Sequence, residues 1–214
     1  MQRRLKIALF GATGMIGSRI AAEALARGHE VTAITRKSGQ GGALPQLKTI
    51  AGDLFDAAQS ATQIAGFDAI ASAYGPGGDE PSKVVEAAQS LVALARASGV
   101  KRLVAVGGAG SLLIAPGKQL VDTEGFPEAY KAVALAHRDA LGVYRTVADV
   151  DWTFFAPAAM IAPGTKTGVF RTGADSLIVD ADGNSKISAE DYAAAFVDEI
   201  EQGRFVHRIA TVAY

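Results

Sequence analysis

The chain contains no cysteine. Disulfides, thiolate metal sites and a cysteine nucleophile are therefore excluded. Histidine is nearly as scarce. The three, His29, His137 and His207, are too scattered to suggest a zinc motif, and no metal site is expected. No apolar run approaches the length of a membrane span. Neither sign of charge is in excess: 21 Lys and Arg stand against 22 Asp and Glu, a net charge of −1. Nothing in that balance suggests binding to nucleic acid or another polyanion. The opening Met-Gln-Arg-Arg-Leu-Lys leads straight into a strand-like run rather than an apolar signal core. A cytoplasmic location without membrane attachment is expected.

What is present is an ordinary globular composition of 214 residues, 49% hydrophobic and 20% charged. That is long enough for one sizeable core and short for two. Strand and helix patterns alternate, which predicts an α/β fold with a doubly wound parallel sheet and helices on both faces. Strands are expected at 7–10, 31–34, 48–51, 68–73, 103–106, 152–155 and 205–212. Helices are expected at 15–27, 56–64, 84–98, 127–147 and 192–201, the last behind an N-cap at Ser188. Residues 112–126 read as irregular. Segments 168–173 and 177–180 read as a small hairpin. About 157–187 reads as a small C-terminal lobe within a single domain spanning 1–214.

Residues 6–17 are the most informative. The apolar run from Ile7 to Phe10 breaks at Gly11. Thr13, Gly14 and Met15 then open a segment with Ile16, Ile20 and Ala24 on one helical face. A strand, a glycine turn and a helix in this order aim free backbone N–H groups and a helix dipole at an anion. Gly11 permits the tight turn, Gly14 lets a pyrophosphate approach, and Gly17 lets helix and strand pack closely. The spacing is Gly-x-x-Gly-x-x-Gly rather than the Gly-x-Gly-x-x-Gly of many dehydrogenases. In this context it predicts dinucleotide binding.

Ligands of an open α/β sheet lie outside the carboxyl ends of its strands, at the switch in strand order. Those ends supply Gly11, Thr13, Gly14, Met15 and Ile16, then Arg36 and Lys37, then Asp53 and Leu54. They continue with Ser72, Ala73 and Tyr74, then Gly107 and Gly108, then Phe155, Ala156 and Pro157. These are the expected cofactor-binding residues, and the small ones leave room for a long ligand across the sheet. NAD binders usually carry Asp or Glu after the second strand to accept from the ribose hydroxyls. Arg36 and Lys37 suit a 2′-phosphate instead, so NADP(H) is preferred and NAD(H) remains possible. Asp53 has two readings: an acceptor for the adenine amino group, or a cap on its own loop.

Several stretches together resemble the atypical short-chain dehydrogenase/reductase superfamily. They are Gly11-Ala-Thr-Gly-Met-Ile-Gly, Gly52-Asp53, Ser72-Ala-Tyr-Gly-Pro-Gly, Val106-Gly-Gly-Ala-Gly-Ser-Leu, Asp151-Trp-Thr-Phe-Phe and Pro157-Ala-Ala-Met. Within the superfamily the chain is most similar to the NADH-flavin reductase-like group, relatives of NmrA-like proteins and biliverdin/flavin reductases. The resemblance implies a Rossmann-type fold and a nicotinamide cofactor. It also implies hydride transfer to flavin or a similar planar acceptor, with flavin as substrate rather than bound prosthetic group. Two alternatives stay open: an NmrA-like dinucleotide-binding redox sensor without turnover, and an NAD(P)-dependent isomerase or epimerase.

One departure bears on chemistry. Typical members carry Tyr-x-x-x-Lys on the helix after the fifth strand, whereas Tyr130 is followed four residues later by Ala134. The usual proton-donor pair is missing. Ser111 lies one or two residues beyond the expected catalytic serine. Tyr130 and His137 fall on roughly one helix face, where they line the substrate cleft or simply sit as a surface tyrosine and a packed histidine. Ser111, Tyr130 and His137 are the catalytic candidates.

Overall fold

The computed structural model describes residues 3–36, 44–76 and 80–214. Its strands are β1 (Lys6–Phe10), β2 (Glu30–Thr35), β3 (Lys48–Ala51), β4 (Ala69–Ser72), β5 (Arg102–Val106), β6 (Leu113–Ala115), β7 (Lys118–Gln119), β8 (Asp151–Ala156), β9 (Met160–Ala162), β10 (Arg171–Ala174), β11 (Lys186–Ser188) and β12 (Arg208–Ala213). Its helices are α1 (Met15–Ala26), α2 (Ala57–Ile64), α3 (Lys83–Ser98), α4 (Glu128–Arg145) and α5 (Ala189–Gln202). Eight strands form one sheet in the order β10-β12-β8-β5-β4-β1-β2-β3. Every neighbouring pair is parallel except β10 with β12. This is the Rossmann-type doubly wound sheet that the alternating pattern predicts.

A parallel sheet covered on both faces needs apolar residues at consecutive strand positions. β1 supplies them in Ile7, Ala8, Leu9 and Phe10, all buried. Successive side chains point to opposite faces. Phe10 and Phe154 thus join a core shared with α2, α3 and α4, and Leu9 and Phe155 join another shared with α1 and α5. Strand order runs β1-β2-β3 one way and β4-β5-β8 the other, so the switch lies between β1 and β4. Among the described residues no helix is long and apolar enough to cross a membrane.

The C-terminal region departs from expectation. Residues 168–173 and 177–180 form no hairpin. β10 instead pairs antiparallel with β12 at the edge of the sheet, and the Leu177 N–H donates to the Leu113 carbonyl. A local pattern identifies a strand but not its partner. The stretch 112–126 is also more regular than expected. It holds the antiparallel β6–β7 pair and a 3-10 turn at Leu120–Asp122. β9 and β11 make a separate parallel pair.

Buried carboxylates tie α5 to its surroundings. Asp191, which is fully buried, accepts from the Thr167 N–H, the Thr167 hydroxyl (2.7 Å), the Gly168 N–H (2.8 Å) and the Tyr214 hydroxyl (2.8 Å). Burial alone would raise its pKa, but the bonds from Gly168, Thr167 and Tyr214 outweigh burial and hold it below the ordinary aspartate value of 3.8. A carboxyl depressed in the folded state stabilises the fold above its unfolded pKa, and that stability is lost as pH falls through the folded value. Acid unfolding of the wild type is therefore expected to steepen below about pH 4. Asp191→Asn should flatten that limb while lowering stability at neutral pH. Circular dichroism against pH checks this, and identical acid limbs would refute it.

Candidate functional site

At the switch point, the first glycine turn is built around backbone contacts. The Ala73 N–H donates to the Phe10 carbonyl at 2.9 Å, bringing the end of β4 against the end of β1. Gly11 sits there with φ +77°, and a side chain on it would overlap the Ala73 carbonyl. A side chain on Gly17 would overlap the Gly11 carbonyl, which lets α1 rest on the turn. Gly14 differs. A Cβ built on it meets only the Gly11 oxygen, at an ordinary 3.6 Å. Gly14 is the N-cap of α1, makes no side-chain cap bond, and no acidic residue occupies the first turn. Thr13, Gly14 and Met15 are exposed and Ile16 is half-buried. The helix thus presents an uncapped, unobstructed positive end, and this cradle fits a pyrophosphate.

Toward β2, β3 and β4 the site becomes cationic and aromatic. Arg36 is exposed at the end of β2. Lys37, its expected companion, lies outside the described residues. Asp53 accepts the Phe55 N–H at 3.0 Å through Oδ1. It therefore caps its own loop, and Oδ2 makes no hydrogen bond among the described residues. Leu54 is buried beneath it. The buried Ser72 hydroxyl accepts from the Tyr74 N–H at 3.3 Å. Burial raises the Tyr74 pKa, with the Lys83 and Arg36 cations working against the rise and Glu80 and Glu86 adding to it. Phe55 meets Tyr74 edge to face at 5.5 Å between ring centroids, and Lys83 Nζ lies 5.1 Å from the centre of the Phe55 ring. Phe55 and Lys83 were missed from sequence. Phe55 follows directly on Asp53-Leu54, the one signal available.

Toward β5 and β8 the expectations change most. Gly107 and Gly108 are not simply open space. A side chain on Gly107 would run into the Phe154 ring, and one on Gly108 would lie 2.9 Å from His137 Cβ. Gly110 likewise faces Ala134 Cβ at 2.9 Å. These glycines let α4 approach the sheet. Phe155 does not line the cleft. Its ring packs against Tyr192 and Phe196 on the opposite face, because it alternates with Phe154 along β8. Its carbonyl is already engaged by Tyr192 Oη and the Gly107 N–H. Ala156 and Pro157 are buried, and the first exposed residues of that rim are Ala159 and Met160.

The catalytic candidates do not assemble. Tyr130, in the first turn of α4, is 64% exposed. His137 lies two turns on with its ring against Phe154, 6.1 Å between centroids, and its Nδ1 is buried. Burial pushes its pKa down to about 4. Ser111 is 2% exposed, its Oγ buried without a partner among the described residues, and its carbonyl accepts from Gln119 Nε2. The three share no hydrogen bond.

Comparison with known proteins agrees with this geometry. The model of the NAD(P)H-binding family matches residues 11–203. A solved Burkholderia pseudomallei protein, provisionally named as exported, is 68% identical, with a TM-score of 0.93 over 98% of this chain and 100% of its own. A candidate epimerase of Bacteroides thetaiotaomicron is 38% identical, with a TM-score of 0.90 over 99% and 98%. A candidate NADH-flavin reductase of Streptococcus pneumoniae is 34% identical, with a TM-score of 0.88 over 98% and 99%. With its uncapped glycine turn at the switch between β1 and β4, the chain belongs to the NAD(P)H-binding family.

Proposed function

We propose that the protein is an NADPH-dependent reductase acting on flavin or a similar planar acceptor. One observation carries the reading: the glycine turn is open to a pyrophosphate, yet among the described residues Ser111, Tyr130 and His137 do not assemble into a proton-donor pair. Ala134 occupies the position of the superfamily's lysine and packs on Gly110. Tyr130 stands exposed at the rim. A ketone reductase must deliver a proton to one oxygen as charge builds there. A planar heteroaromatic spreads that charge over several atoms, so solvent can complete the protonation. The candidate flavin reductase of S. pneumoniae supports this reading.

The residues present fit the dinucleotide. Gly11, Gly14 and the first N–H groups of α1 would hold its pyrophosphate, Arg36 its 2′-phosphate, and the unused oxygen of Asp53 its adenine amino group. Ser72, Ala73 and Tyr74 would border it across the switch. When bound, the cofactor supplies a hydride. Exposed Met15, Tyr130 and Met160 offer apolar contact to a flat ring, and orienting that ring carries most of the rate.

The test is NADPH consumption with riboflavin or FMN, measured against the non-enzymatic background. Turnover far above background is expected, with negligible oxidation of simple alcohols. Binding without turnover on any planar acceptor would favour a redox sensor. Arg36 decides cofactor choice. A charge-assisted contact to the 2′-phosphate contributes about 1.5–3 kcal/mol, or about one to two decades of affinity. Arg36→Ala is expected to weaken NADPH by that factor and spare NADH in calorimetry. Equal weakening of both would remove Arg36 from the phosphate site.

A further inference from the structure

Beneath the Ser72–Tyr74 turn, a recess of about 20 Å³ lies between α3, α4 and the carboxyl ends of β4 and β5. Its wall includes Ser72, Tyr74, His137, Tyr144 and Phe154. Three of these bring polar atoms with unmet hydrogen-bonding capacity. His137 Nδ1 is buried with no partner. The Ser72 hydroxyl accepts from the Tyr74 N–H and donates to no group among the described residues. Tyr144 is 2% exposed, and its hydroxyl makes no hydrogen bond to a described residue.

The histidine ring is packed on two sides. The missing side chain of Gly108 marks a backbone wall close to its Cβ and Cγ, and Phe154 stands across its ring. Buried polar groups left this way in native proteins are commonly met by an ordered water. A site needs about 10–15 Å³ and two to four polar partners to hold one, and this recess meets both conditions. The ring is neutral near neutral pH, because burial lowers its pKa to about 4. A water can therefore either donate to Nδ1 or accept from it.

We propose that the recess holds one ordered water joining His137 Nδ1 to the Ser72 hydroxyl, which makes His137 a positioning residue for the Ser72–Tyr74 turn. The link to function rests on the reading that this turn borders the dinucleotide. Through the water, α4 holds the Ser72 hydroxyl in the orientation that receives the Tyr74 N–H. His137 touches neither cofactor nor acceptor. Its role lies in the shape of the binding edge, so affinity rather than maximal rate should respond to its loss.

A crystal structure that resolves ordered solvent tests the water directly. One density peak within hydrogen-bonding reach of both Nδ1 and Ser72 Oγ is expected, and an empty recess overturns the proposal. Affinity then tests the role. Ser72→Ala and His137→Leu should each weaken NADPH binding by about three- to tenfold, and the double variant by no more than the worse single one, since both break one link. His137→Asn, which keeps a polar atom near the Nδ1 position, should restore most of the affinity, and for the His137 variants the loss should fall on NADPH affinity far more than on kcat at saturating NADPH. Additive losses, or no rescue by Asn, overturn the positioning role. If His137→Leu does not fold, the density and the Asn variant still decide. If the wild type binds no NADPH, the cofactor reading fails and the density alone decides the water.

Discussion

A Gly14→Val protein is expected to fold and to lose NADPH. The backbone at Gly14 has φ −76° and ψ 170°, a conformation open to any residue. The added Cβ meets nothing closer than the Gly11 oxygen at 3.6 Å. Valine is a poor N-cap, which costs about 1 kcal/mol of stability. The branched side chain, however, fills the space in front of the first N–H groups of α1. An anion kept from those donors loses several charge-assisted bonds together, and a fall of at least about a hundredfold in affinity is expected. Calorimetry beside a thermal melt separates the two effects. Unchanged affinity in a folded variant would remove the pyrophosphate from this turn. Gly11→Val and Gly17→Val make the contrast, since both meet backbone atoms and should fail to fold.

The second large effect lies far from the cofactor. Glu199, 2% exposed, accepts from Arg102 at 2.6 Å, from the Thr153 hydroxyl at 2.8 Å, and from the N–H groups of Arg204 and Phe205 at 3.1 Å each. Glu199→Ala takes the carboxylate from all four donors: the Arg204 and Phe205 N–H groups lose their side-chain acceptor, and the largely buried Arg102 guanidinium loses its counter-charge and keeps only neutral acceptors. Removing one partner of a buried ion pair typically costs about 3–5 kcal/mol. The urea midpoint should fall accordingly with the slope unchanged. Arg96→Ala is the control: its pair with Asp149 is half-exposed on both sides, and less than about 1 kcal/mol is expected. A Glu199→Ala loss that small would mean that water or rearrangement satisfies Arg102.

These two cases show which parts of the molecule are readable from sequence. The glycine turn between β1 and α1 is legible because its glycines act largely through backbone conformation and contacts within one strand–turn–helix unit. The strand ends are legible for the same local reason. Gly107, Gly108 and Gly110 mislead. They suggest room for a ligand, yet their absent side chains make way for Phe154, His137 and Ala134, which arrive from distant elements. Phe155 misleads by one position: a strand buried on both faces shows two adjacent phenylalanines, and nothing local says which faces which layer. His137 and Tyr130 share a helix face in projection, but His137 is half-buried with its ring against Phe154 while Tyr130 is exposed. The Glu199 and Asp191 networks were invisible because their partners lie on strands and loops distant in sequence.

The place of β10 bears on how the chain can be assembled. Its partner in the sheet is β12, made after α5, and β12 in turn lies against β8. During synthesis Arg171–Ala174 therefore emerges with its seat not yet built. Until residues 208–213 arrive, β8 is the outermost strand and offers an open, apolar edge to any other nascent copy. Completion of this flank comes late: β12 has to slot in beside β8 before β10 can close over a strand made after it. A ribosome stalled between α5 and β12 would hold a chain whose glycine turn is already made and whose other flank still lacks its strand.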